Sequence, residues 1–181
     1  MFTLKKSLWL VLLMSIAASS CKKDTTEPDD NELITTVRLK FTEAGTTLAT
    51  TFEYKDPDGD GGAAPTKFDK VSLKKGATYS FAIEVLNEST SPASDITQEI
   101  ASKADEHLFN YASTPVGLVT FTITDKDSKN LPVGLKANVV AATTAGTGKL
   151  KVQLRHQPGT KNGTLTPGSD DINLDFDLEV K

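Results

Sequence analysis

Residues 172–180 read Ile-Asn-Leu-Asp-Phe-Asp-Leu-Glu-Val, apolar at every second position. In an extended chain successive side chains point to opposite faces. Ile172, Leu174, Phe176, Leu178 and Val180 therefore share a buried face, and Asn173, Asp175, Asp177 and Glu179 a wet one. The same period runs through Leu33, Thr35, Val37, Leu39 and Phe41, then Leu48, Thr50, Phe52 and Tyr54, then Tyr79, Phe81, Ile83 and Val85. It returns in Val119, Phe121 and Ile123, in Leu135, Ala137 and Val139, and in Leu150, Val152 and Leu154. Strands with one wet face belong to antiparallel sheets, because parallel sheets are usually covered on both sides. With residues 68–73 and 107–111 added, about nine strands are expected, separated by turn signals. Glu43-Ala44-Gly45 suits a hairpin with Gly45 in the left-handed region. The expected fold is all-β, an immunoglobulin-like antiparallel β-sandwich over residues 33–181, with an up-and-down β-barrel as the alternative.

One stretch leaves this period. Residues 94–106 place Ile96, Ile100 and Ala104 four apart, with Asp95 as N-cap and Gln98 three residues on, as in a capping box. A short helix is predicted there, with Glu99 and Lys103 paired along its exposed side.

The beginning of the chain has a different logic. Lys5 and Lys6 precede an apolar run over residues 8–16, then Ala17, Ala18, Ser19, Ser20 and Cys21, the single cysteine of 181 residues. A basic start, a greasy middle and small residues before a cysteine form a lipoprotein signal, with cleavage before Cys21 and lipid attached to it. The run is well short of the ~20 residues that a spanning helix needs. Residues 1–20 are thus read as a signal peptide, and residues 21–32 as lipidated Cys21 followed by a polar, flexible tether. Losing Lys5 and Lys6 leaves 18 basic against 24 acidic side chains, and the formal charge moves from −4 to −6. An acidic surface argues against nucleic acid and anionic lipid as partners. Membrane attachment is expected through the acyl chains, and no cysteine is left for disulfides or thiol chemistry.

Two places carry candidate chemistry. Asp56-Pro57-Asp58-Gly59-Asp60-Gly61-Gly62 opens like an EF-hand loop, with Asp56, Asp58 and Asp60 as oxygen ligands for Ca²⁺ and Asp69 as a possible helper. The twelfth position is Lys67 where a bidentate Glu belongs, and the same residues also favour plain turns. The second place is the pair His107 and His156, the only histidines. Each stands at a strand end in phase with apolar residues, so the two would meet at one rim of the sandwich. With Glu106 or Asp105 they would offer a set suited to Zn²⁺, Cu²⁺ or non-haem iron, or the pair would clamp haem. Separate histidines bonded to backbone are the plainer reading of the same positions. Arg155 and Lys161 flank His156 as ligand-binding or solvated cations. Gly-x-Ser-x-Gly, His-Glu-x-x-His and the phosphate-binding glycine loop are all missing, so no enzyme is expected.

Ser-Cys-Lys-Lys-Asp at residues 20–24, the Asp-Gly loop, Ala-Asp-Glu-His at 104–107, Thr-Asp-Lys-Asp-Ser at 124–128, Pro-Val-Gly-Leu at 132–135 and Leu-Arg-His-Gln-Pro at 154–158 resemble a group of small Bacteroidota lipoproteins. Some of these carry the label of a type 1 periplasmic binding fold. Such a fold alternates strands and helices across two lobes, whereas this chain has one short helix. The resemblance implies an outer-membrane lipoprotein, facing the periplasm or the cell surface. It also implies work beside an outer-membrane transporter for metals, haem or other nutrients. The expected function is non-enzymatic ligand capture at the histidine rim; a calcium-stabilised structural or adhesive module is the rival.

Overall fold

The alternating stretches become strands in the computed structural model, which describes residues 33–59 and 61–181. The signal peptide, Cys21, the tether and Asp60 lie outside the described residues. In chain order the elements are β1 (Thr36–Glu43), β2 (Ala49–Lys55), β3 (Lys67–Phe68), β4 (Val71–Leu73), β5 (Thr78–Asn87), β6 (Ser94–Asp95), α1 (Ile96–Ser102), β7 (His107–Thr114), β8 (Val119–Ile123), β9 (Lys136–Ala141), β10 (Gly146–His156) and β11 (Ser169–Val180). One sheet runs β3-β2-β1-β5-β9-β8, with β6 also on β5; the other runs β4-β11-β10-β7. Two separate sheets make a β-sandwich, and the barrel alternative falls away.

The count and the pairing differ from expectation. Residues 68–73 are two strands in different sheets: β3 pairs with β2 at Tyr54↔Phe68, and β4 pairs with β11 at Val71↔Leu178. Asp69 and Lys70 are the crossing point between the sheets, too polar to stay in the core. The β4–β11 pairing is parallel, so the sandwich is not purely antiparallel. The short β6 leads directly into the helix.

Period-two burial is clearest in β5, where Tyr79, Phe81, Ile83 and Val85 are buried and the residues between them are not. From β11, Phe176 and Leu178 reach the core with at most 1% exposure, each burial contributing about 1.5–3 kcal/mol. Phe68 packs edge-on against Phe176 at 4.8 Å, and Phe81 against Tyr111 at 5.0 Å, so aromatic pairs bridge the two layers. Burial pushes the Tyr111 hydroxyl well above its ordinary pKa, and it donates to the Gly134 carbonyl at 2.7 Å. Leu48, at 73% exposure, departs from the expected apolar face, since β2 starts one residue later.

The helix is capped as read. Asp95 accepts from the Gln98 backbone N–H at 3.2 Å and from its side-chain amide at 2.6 Å. Ile96 and Ile100 fill the core face. The Glu99–Lys103 pairing is replaced: Glu99 accepts from the Ser94 hydroxyl at 3.3 Å, and Lys103 already lies outside the helix as its C-cap. The helix thus ends early, against a predicted run to residue 106, and His107 opens β7 as expected.

Candidate metal-capture rim

The β7–β10 ladder sets His107 directly opposite His156. Their rings stack with centroids 4.9 Å apart and planes 10° from parallel. The residues ahead of His107 form a turn in which Glu106 N–H donates to the Lys103 carbonyl at 2.9 Å. The Glu106 carbonyl then accepts from Gln157 N–H at 2.6 Å, which ties this turn to the chain just past His156.

The Lys103 carbonyl lies 3.0 Å from His107 Nδ1. A carbonyl only accepts, so Nδ1 carries the proton. The neutral ring therefore presents a bare Nε2 lone pair, the state a metal ligand needs, with its tautomer fixed from behind. Burial lowers the His107 pKa, the Lys103 carbonyl works against that shift, and the nearby His156 adds to it. His107 Nε2 faces Asp171 Oδ2 at 3.9 Å, and His156 Nε2 faces Glu106 Oε2, also at 3.9 Å.

Asp171 was not foreseen, and the ladder explains why. Along β10 and β11, Leu154 pairs with Ile172 but Arg155 pairs with Asp170, so Asp171 is the extra residue of a β-bulge. Bulges re-aim a side chain, here onto the histidine. The available signal was the pair Asp170-Asp171, which interrupts the alternation that begins at Ile172. Asp171 also lines, with Ile34, Val37, Tyr54, Ile172 and Leu174, a cleft of about 290 Å³ between the sheets. Rim and cleft thus share one carboxylate.

An N and an O donor each about 2.1 Å from zinc sit about 3.4 Å apart at a tetrahedral angle. The two 3.9 Å nitrogen–oxygen gaps therefore need to close by about half an ångström. Each Nε2 lone pair lies in its own ring plane, and the two planes are stacked, so the rim offers two adjoining half-sites. In keeping with this, no group of three or more His, Cys, Asp or Glu among the described residues already converges on one point. A bis-histidine haem needs imidazoles opposed across a porphyrin; stacked rings on neighbouring strands do not suit it, and the haem expectation is set aside.

Other expected residues go elsewhere. Asp105 turns to Lys129 at 3.8 Å and not to the histidines. Arg155 pairs with Asp170 and donates to the carbonyls of Pro167 and Gly168, clamping the β10–β11 connection. Lys161 is neither solvated nor open to ligand: its ammonium lies 2.8 Å from Asp127 Oδ2, with both side chains 0% exposed. It also donates to the Ala104 carbonyl at 2.7 Å, so this buried pair holds the turn that leads into Glu106 and His107. Asp69 accepts from Glu53 N–H at 2.9 Å and pairs with Lys67, which removes it as a helper for the Asp-Gly loop.

Protein-family models, curated proteins and solved structures give no match to the chain. No helix among the described residues is long and apolar enough to cross a membrane.

Proposed function

We propose that this protein is a lipid-anchored lipoprotein of the outer membrane. Its sandwich captures a divalent transition metal, Zn²⁺ or Cu²⁺, and passes it to an outer-membrane transporter. The observation that supports this reading is the rim itself. Two histidines from distant parts of the chain stand face to face, and each Nε2 is turned to a carboxylate. His107 supplies a lone pair, with its other nitrogen committed to backbone. Imidazole with carboxylate suits Zn²⁺ and Cu²⁺ over harder cations. Half-sites that close by small movements bind and release more readily than a rigid cage, which is what a carrier requires. Acyl chains on Cys21 and an acidic tether would hold the sandwich near the membrane.

Calorimetric titration of the full chain in detergent with Zn²⁺ and Cu²⁺ tests this. His107→Ala, His156→Ala and Asp171→Asn are each expected to weaken binding by about 10- to 100-fold. Asp105→Asn should leave it unchanged. Unaltered affinity in either histidine variant refutes a shared site.

A further inference from the structure

Asp56 is a buried carboxylate with unfinished business. It is 3% exposed, and its Oδ2 accepts from the Tyr54 hydroxyl at 3.0 Å. Its Oδ1 is buried and has no hydrogen-bond partner. An ionised oxygen taken out of water without a partner costs far more than an ordinary polar group. The carboxyl of Asp58, two residues on, interacts with that of Asp56. Two ionised carboxylates are both acceptors, so only a proton or a cation settles between them.

The loop is built around Asp58. Ala63 N–H donates to Asp58 Oδ2 at 2.8 Å, and this bond, more than the contact with Asp56, holds the Asp58 carboxyl below its ordinary value. A side chain at Gly62 would run into that carboxylate. Gly59 closes the turn at φ +76°, its N–H donating to the Asp56 carbonyl at 3.2 Å. The backbone is thus packed close about the Asp58 carboxylate.

We infer that Asp56 and Asp58 form a calcium site, with Asp56 as its buried anchor and backbone carbonyls and water completing the shell. It is not an EF-hand. Lys67 at the twelfth position is paired with Glu53 and Asp69, and β2, not a helix, leads into the loop. The site is separate from the histidine rim and uses oxygen ligands only. Its occupant fixes Asp56 and through it Tyr54, which lines the cleft.

Thermal unfolding of the full chain in detergent, with and without 5 mM Ca²⁺, tests the site. With a Kd of about 10⁻⁴–10⁻³ M, as in extracellular calcium modules, the midpoint rises by about 3–8 °C. Asp56→Asn and Asp58→Asn are expected to lose that rise, whereas Asp69→Asn and His107→Ala keep it. Because Asp58 is exposed, Asp58→Asn folds even if Asp56→Asn does not. Terbium, as a calcium substitute, should luminesce by energy transfer from Tyr54 and be displaced by Ca²⁺, and Tyr54→Phe should dim that signal. A wild-type midpoint indifferent to calcium points to a shared proton and overturns the site. Retention of the rise in Asp58→Asn, or its loss in His107→Ala, overturns it as well.

Discussion

Replacing Lys161 by Met removes one half of an ion pair whose two side chains are 0% exposed. A surface pair would contribute about 0–1 kcal/mol. Here neither side chain is exposed, and the deletion leaves Asp127 Oδ2 buried without its cation and the Ala104 carbonyl without that donor. Breaking a buried pair in this way costs about 3–5 kcal/mol. For a unit of residues 31–181 that lowers the unfolding midpoint by roughly 6–20 °C. Urea unfolding should report it as a lower midpoint concentration at unchanged slope. The acid response should weaken too. Burial pushes the Asp127 carboxyl up, but Lys161 and the N–H groups of Leu131 and Lys129 outweigh that and hold it below its ordinary value of 3.8. In the wild type this carboxylate stabilises the fold above pH 3.8, and the contribution fades as pH falls through the lower folded value. Without Lys161 the lowering is weaker, since only the N–H groups of Leu131 and Lys129 still oppose burial, so the variant should lose less stability on acidification. The double variant Lys161→Met/Asp127→Leu should recover most of the loss, since an apolar pair fills the site without stranding a charge. A single-variant loss under about 1 kcal/mol, or a double variant no better than the single, refutes the argument.

His107 resists protonation because it is buried, so the unfolded chain takes up a proton first as pH falls. Stability should therefore decline from pH 6.5 down to the lowered folded value and level off below it, a slope that His107→Leu removes in pH-dependent urea unfolding. Gly168 sits at φ +79°, where an added Cβ would strike the His156 carbonyl. Gly168→Ala is expected to cost at least about 1 kcal/mol and to weaken zinc binding, both read from one preparation by unfolding and calorimetry. Zinc affinity unchanged in that variant would mean that the β10–β11 connection does not hold the rim.

Much of the architecture was legible because one force dominated it. Ile172 to Val180 alternate so regularly that only a half-buried strand accommodates them, and Asp95 with Gln98 fixes the helix start through local hydrogen bonds. Residues 68–73 were harder. Their apolar content suits one strand, and nothing local reveals that Asp69-Lys70 carries the chain from one sheet to the other. The histidines showed a shared parity and a common position at strand ends; their stacking depends on the β7–β10 register, which is set by contacts far apart in the chain. Asp171 depended on a bulge, and a bulge displaces by one residue the rule that predicts facing. Lys161 is not legible locally, because a lysine in a Gly-rich connection is normally solvated; its burial requires Asp127 and Ala104, supplied by two other loops.

Apart from residues 68–73, these departures gather at one end of the sandwich. Elsewhere the layers are joined by plain apolar packing, with Phe41, Phe109 and Phe176 essentially unexposed. At the rim the chain adds a buried lysine–aspartate pair, an arginine clamp on the β10–β11 connection and a bulge. Stability alone is a poor reason for the first of these, because apolar residues of similar volume commonly do as well in place of a buried ion pair. What the three devices have in common is what they position. Lys161 holds the turn before Glu106 and His107, Arg155 fixes the chain running from His156 to Asp170, and the bulge turns Asp171 toward His107 Nε2. Each therefore acts on a member of the same four-residue set. On the proposed reading, the set His107, His156, Glu106 and Asp171, held in place from three directions, would be completed by the metal it binds.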